Sequence, residues 1–199
     1  MILDNIDAYI SDSLKTLTCL PRENIVRIIG RLIEAYNNGN QIFILGNGGS
    51  ASSASHFACD LGKGTLKHRC NEREKRFRII SLTDNFPLIS AYANDISFDE
   101  IFSQQLRNLI VRNDLVIVLS GSGNSRNLIK AVDYAKKCGA YTIGLLGFNK
   151  GGKLAKLVDD SIIIQSSNYG QIEDSHLILN HMITYCISQF KEDYDKSFN

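Results

Sequence analysis

Two short stretches concentrate residues suited to holding a small anion. Ser120-Gly121-Ser122-Gly123-Asn124-Ser125 sets three hydroxyls and two glycines within six positions. Glycines let the backbone approach an anion closely, hydroxyls add neutral donors, and a following helix offers unpaired amides at its positive end. Gly46-Asn47-Gly48-Gly49-Ser50 is built on the same principle and permits close backbone contact with a ligand hydroxyl or phosphate. Serine and asparagine are also ordinary helix caps. Capping alone needs only one such residue, so the density of serine and glycine favours a binding loop. The first stretch has neither the lysine of a nucleotide P-loop nor the spacing of a dinucleotide fingerprint. The expected ligand is a small phosphorylated molecule.

The elements around these stretches place them at one edge of a sheet. Residues 41–45 and 114–119 are short, β-branched-rich apolar runs, each ending at one of the two loops. Helices are expected at 50–61 and 125–138, so both loops lead from a strand into a helix. Further strands are expected at 78–82, 141–146 and 160–164. The remaining helices fall at 87–93, 98–110, 152–157 and 172–190. Strands alternating with helices, several of them continuous apolar runs, predict a parallel α/β sheet covered on both faces. Ligands in such sheets bind beyond the carboxyl ends of the strands, where strand order reverses. Before residue 41, Ile6, Ile10, Leu14 and Leu17, then Ile25, Ile28, Ile29, Leu32 and Ile33, recur at helical spacing on either side of Pro21. The first of these helices is amphipathic and short of a core of its own.

Composition excludes several classes. With 199 residues, 44% hydrophobic and 22% charged, the chain suits one globular domain. A net charge of +1 argues against general attraction to nucleic acid or acidic membranes. The locally basic segment 67–78, which includes His68, reads as a solvated loop. Cys19, Cys59, Cys70, Cys138 and Cys186 are scattered and odd in number, supporting neither a disulfide framework nor a thiolate zinc knuckle. No secretory leader and no run of about 18 apolar residues is visible, so the expected location is the cytoplasm.

At this point the order of motifs resembles that of the sugar isomerase (SIS) domain superfamily, and within it the phosphoheptose isomerases. The resemblance rests on Gly46-Asn47-Gly48-Gly49-Ser50, on His56-Phe57-Ala58, and on Asn94-Asp95 followed by Phe98 and Ile101-Phe102. The Ser120–Ser125 loop and the helix bearing His181 complete it. It implies a three-layer, flavodoxin-like five-stranded parallel sheet over 41–199, with N-terminal helices over 1–40. It also implies a homotetramer with sites between subunits. The implied reaction converts sedoheptulose 7-phosphate to D-glycero-D-manno-heptose 7-phosphate through an enediol, often with zinc. On the matching positions, Ser120, Gly121, Ser122 and Ser125 would hold the phosphate. Asn47, Gly48, Gly49, Ser50, Asn94 and Asp95 would contact the sugar.

The family's metal ligands are a histidine and a glutamate four apart, then a glutamine and a histidine eight apart. Those positions here are His56, Asp60, Glu173 and His181, so two of the four depart from the pattern. His56 and Asp60 lie one helical turn apart and can reach one point. Imidazoles and carboxylates remain reasonable ligands for a divalent metal. The catalytic assignment stays divided among Asp60, Glu173 and His181, because aspartate is one methylene shorter than glutamate. A displacement of about 1 Å can cost on the order of a hundredfold in rate. His176 reads as structural. Related readings keep the fold but change the role, to isomerisation of another sugar phosphate or to a non-catalytic tetramer. Such a tetramer would bind the replication initiator or sense sugar phosphates.

Overall fold

The computed structural model describes residues 1–68 and 70–196, with no side chains described from 192 onward. Arg69 of the basic loop and the last three residues of the 41–199 unit lie outside that range. The chain opens with α1 (Ile2–Thr18) and α2 (Arg22–Asn38), separated by Pro21 as expected. It continues through β1 (Gln41–Gly46), α3 (Gly49–Cys59) and a π-helical turn, Asp60–Gly64. Next come β2 (Arg78–Ser81), α4 (Phe86–Asp95), a 3-10 turn (Phe98–Glu100) and α5 (Ile101–Leu109). β3 (Leu115–Ser120), α6 (Arg126–Lys137), β4 (Tyr141–Leu146), α7 (Leu154–Leu157), β5 (Asp160–Ile163) and α8 (Tyr169–Lys196) complete it.

The strands form one parallel sheet in the order β2-β1-β3-β4-β5, the flavodoxin-like arrangement. Both faces are covered, which explains why β1, β3 and β4 read as apolar runs rather than alternations. Alternate residues serve opposite layers. Ile42, Ile44, Ile117 and Leu119 pack under α2, α3 and α8, whereas Phe43, Leu45, Val116 and Val118 pack under α5 and α6. α2 is part of this core through Ile25, Ile28, Leu32 and Ala35. Arg27 on α2 also donates twice to the buried Asp160 on β5, at 2.6 and 2.8 Å. α1 stands further off, leaving Ile2, Leu3, Ile6, Ile10 and Leu14 exposed. Its Tyr9 hydroxyl donates to Asp174 on α8 at 2.6 Å.

Strand order reverses between β1 and β3. The two glycine- and serine-rich loops are the segments that leave these two neighbouring strands. The fold therefore brings them side by side at the switch point.

Candidate functional site

Ser120 ends β3, and Ser125 is the N-terminal boundary residue of α6. Between them the loop folds on itself: Ser120 Oγ accepts from the Gly123 amide at 3.0 Å, and Ser122 Oγ from Asn124 at 3.3 Å. Gly123 takes φ +62°, and a Cβ there would collide with the Gly151 carbonyl, so glycine is required on two counts. The Ser125 side chain caps no amide of α6. Its hydroxyl and the first amides of the helix are left for a ligand.

A pocket of about 110 Å³ lies over this loop, lined by Asn47, Ser50, Ser120, Gly121, Ser122, Ser125, Tyr169 and Glu173, with Leu119 and Leu128 at its base. Residues from the starts of α3, α6 and α8 all face it. Each helix start carries roughly half a positive charge. Three such ends favour an anion although, among the described residues, no lysine or arginine lines the pocket, and the Glu173 carboxylate in the lining opposes part of that field. Asn47 and Asn127 tie the two loops together. Each amide nitrogen donates to the other's oxygen at 2.9 Å, and the Leu128 amide donates to Asn127 Oδ1 at 2.9 Å.

A second constellation lies further along α3 and α8. His56 Nε2 is 2.9 Å from His181 Nε2 and 3.1 Å from Asp60 Oδ2, and His181 Nε2 is 3.5 Å from the same oxygen. The π-helical turn begins at Asp60, and such turns are frequent at functional sites. The short carboxylate meets His56 one helical turn earlier and His181 across from α8. Ligand atoms about 2.0–2.1 Å from a tetrahedral zinc ion lie about 3.3 Å from one another. The three observed separations bracket that value, so the triad fits a divalent cation in size and in donor type.

The remaining expected residues are distributed differently. Glu173 does not join the triad. It lies over Gly49, its carboxylate oxygens 2.5 and 2.6 Å from where a Cβ on that glycine would sit. Eight residues of helix separate it from His181, about 12 Å along α8, beyond the reach of a glutamate side chain. Gly48 is the boundary residue before α3, at φ +55°. Asn94 and Asp95 sit exposed at the end of α4, the Asn94 amide donating to Asp95 at 2.8 Å, and neither lines the pocket. His176 is fully buried, in keeping with a structural role. His68 is exposed and the five cysteines are free.

Sequence reasoning overlooked Asn127, Tyr169 and Phe148. Asn127 carried only the signal of an amide in the first turn of a helix that leaves a binding loop. It also overlooked Ser55, whose hydroxyl bonds Thr83 at 3.0 Å and Asp84 more closely, at the carboxyl end of β2.

Comparison with known proteins agrees with this architecture. The SIS domain family model matches residues 7–147. A probable phosphoheptose isomerase of Thermoplasma acidophilum is 34% identical over 91% of this chain and 96% of its own length. The phosphoheptose isomerase of Helicobacter pylori strain Shi470 is 38% identical over 79% of each chain. The structure of phosphoheptose isomerase from Neisseria gonorrhoeae superposes with a TM-score of 0.85 at 28% identity, covering 95% of this chain and all of that one.

Proposed function

The chain belongs to the SIS domain family, and on that premise we propose that it is a phosphoheptose isomerase, converting sedoheptulose 7-phosphate to D-glycero-D-manno-heptose 7-phosphate. The single observation that carries this reading is the pairing of a phosphate-sized pocket without basic side chains with a separate cluster of two imidazoles and a carboxylate. The first suits the phosphate end of a sugar and the second the carbons that exchange protons. Incubating the purified protein with sedoheptulose 7-phosphate and resolving the products tests it. Formation of the aldose is expected, and its absence with a divalent metal supplied overturns the reading.

Ser120, Ser122, Ser125, the Gly121 backbone and the three helix starts hold the phosphate. Asn47, Gly48, Gly49 and Ser50 border the sugar chain, and Asn94 and Asp95, exposed at the end of α4, are assigned to it by the family pattern. Isomerisation removes a proton from C1 of the ketose, passes through an enediol and returns a proton to C2, while a hydroxyl proton moves between O2 and O1. Each transfer needs an acid–base group within about 3 Å. Asp60 shares its oxygen between two imidazoles and orients them. His181 is placed to move the hydroxyl proton where its Nε2 does not hold a metal. Glu173, with no cation pairing it among the described residues, is the carboxylate left to carry the carbon-bound proton.

His56, Asp60 and His181 are the residues that would hold a metal, with zinc the ion their donor set suits best. Such an ion, when bound, polarises the substrate's carbonyl and hydroxyl oxygens.

Glu173 cannot reach the triad of its own chain, but a second copy resolves this. Antiparallel pairing of two α8 helices about a two-fold near Leu177 sets Glu173 of the partner subunit opposite His181. Ile178, Met182 and Tyr185 are exposed on that stretch of α8, as such a pairing requires. The exposed apolar face of α1 gives a second contact. Both support a homotetramer with its sites between subunits. No helix among the described residues is long and apolar enough to cross a membrane, in keeping with a cytoplasmic enzyme.

A further inference from the structure

Tyr169 is the first residue of α8, and its ring lines the phosphate pocket while remaining 55% exposed. It therefore stands at the margin of the pocket within one chain. One edge is pressed against the cradle: a Cβ on Gly121 would lie 2.8 Å from Cε1 and 3.2 Å from Cδ1 of the ring. The other support is Phe148, whose ring meets Tyr169 edge-on with centroids 4.7 Å apart at 79°. Phe148 holds φ +51° and Asn149 φ +61°, backbone that a bulky side chain adopts only when its surroundings enforce it. The loop carrying them packs directly on the cradle, since a Cβ on Gly147 would lie 2.9 Å from the Gly121 carbonyl.

We propose that Tyr169, braced by Phe148, is a specificity-determining residue that walls the phosphate pocket and restricts it to terminal phosphomonoesters. The inference rests on the cradle reading above and extends it. A monoester needs one opening, through which its carbon chain leaves. A phosphodiester or a sugar nucleotide needs two. On this proposal the ring occupies the second opening, so deleting it frees space beside the cradle on that side. A dianionic monoester also profits more than a monoanionic diester from the three helix starts. Because the ring is uncharged, that electrostatic part of the preference is untouched by removing it. The part that changes on substitution is the wall.

The test is calorimetric titration of the intact protein with sn-glycerol 3-phosphate and with glycerophosphocholine, for wild type, Tyr169→Phe, Tyr169→Leu and Tyr169→Ala. Shape exclusion of this kind is worth about tenfold or more. The monoester-to-diester affinity ratio is expected to fall by at least about tenfold in Tyr169→Ala, through a gain in diester binding. A smaller fall is expected in Tyr169→Leu and none in Tyr169→Phe. Thermal melts identify any variant that fails to fold, and the leucine variant then carries the comparison. An unchanged ratio in the folded alanine or leucine variant overturns the wall alone. Failure of wild type to bind the monoester overturns the cradle reading and the wall with it.

Discussion

The side chains of Asn47 and Asn127 form a closed pair, each amide nitrogen 2.9 Å from the other's oxygen. Asn47 follows β1 and Asn127 lies in the first turn of α6, so the pair locks together two loops that are 80 residues apart in sequence. Asn127 is almost fully buried. Two of its three side-chain hydrogen bonds serve Asn47 and the third the Leu128 amide, so it positions the site rather than touching the ligand.

Replacing Asn127 by alanine unpairs Asn47 and the Leu128 amide together, at a cost of about 1–3 kcal/mol for an unsatisfied buried group. KM for the sugar phosphate should rise about tenfold, with a smaller change in kcat, and inhibition by inorganic phosphate should weaken in parallel. Asn127→Asp should be worse than alanine for phosphate binding. Its carboxylate cannot donate to Asn47 Oδ1, and it brings a negative charge to an anion site. Steady-state kinetics with inorganic phosphate as competitor checks both. Equal phosphate inhibition in wild type and both variants rules out the positioning role.

Metal content and proton transfer should separate cleanly between the two carboxylates. Asp60→Ala and His181→Ala remove donors from the triad, and each should lower bound metal at least about tenfold. Glu173→Gln should leave metal content near that of wild type while reducing kcat by about a hundredfold or more, the scale of lost general-base catalysis. Elemental analysis beside solvent-deuterium incorporation into the product reads both effects. Normal metal content in Asp60→Ala and His181→Ala excludes those residues as ligands. Undiminished deuterium incorporation in Glu173→Gln removes it as the base.

Gly123 couples the cradle to the loop after β4. An alanine there must hold φ +62° and displace the Gly151 carbonyl at the same time. Left-handed strain and backbone displacement together cost about 1–3 kcal/mol or more. Gly123→Ala should therefore lower the melting temperature and abolish detectable phosphate binding. Gly30, where a Cβ would meet nothing within 4 Å, provides the control. Gly30→Ala lies inside α2 and should stabilise the protein by about 0.5–1 kcal/mol. Thermal melts with and without inorganic phosphate distinguish the two.

Much of this architecture was legible from periodicity. The apolar runs of β1, β3 and β4 are buried on both faces, and so their identity as strands shows in a short window. The two loops were legible because glycine and serine at a strand end have few other uses. What sequence could not show is what depends on orientation between distant elements. The triad at Asp60 is one such feature, because α3 and α8 must meet before an aspartate one methylene short reaches both imidazoles. Glu173 is another. Its spacing from His181 fits a ligand pair in a motif, yet on one continuous helix the same spacing is a separation of about 12 Å. Tyr169 and Phe148 meet only because the β4–α7 loop folds back across the cradle, and nothing local marks either residue.

His176 supplies a pH dependence that can be assigned to one side chain. It is fully buried on α8, with Nδ1 unpartnered and Nε2 3.4 Å from the Leu146 carbonyl. Burial depresses its pKa from 6.5 to about 4, the weak carbonyl contact opposing only part of that shift. The unfolded chain therefore binds a proton that the folded chain refuses between these values. Stability is fully present above pH 6.5 and is lost as pH falls toward 4, by about 3 kcal/mol in total. Leucine at this position removes the titration. The Leu146 carbonyl keeps its bond from the Ile164 amide at 2.8 Å, so little is lost there. Urea unfolding of His176→Leu between pH 7 and 4 should show this increment missing, with stability at pH 7 equal to or above that of wild type. An identical pH slope in the two proteins would show that other groups, and not this imidazole, govern the acid response.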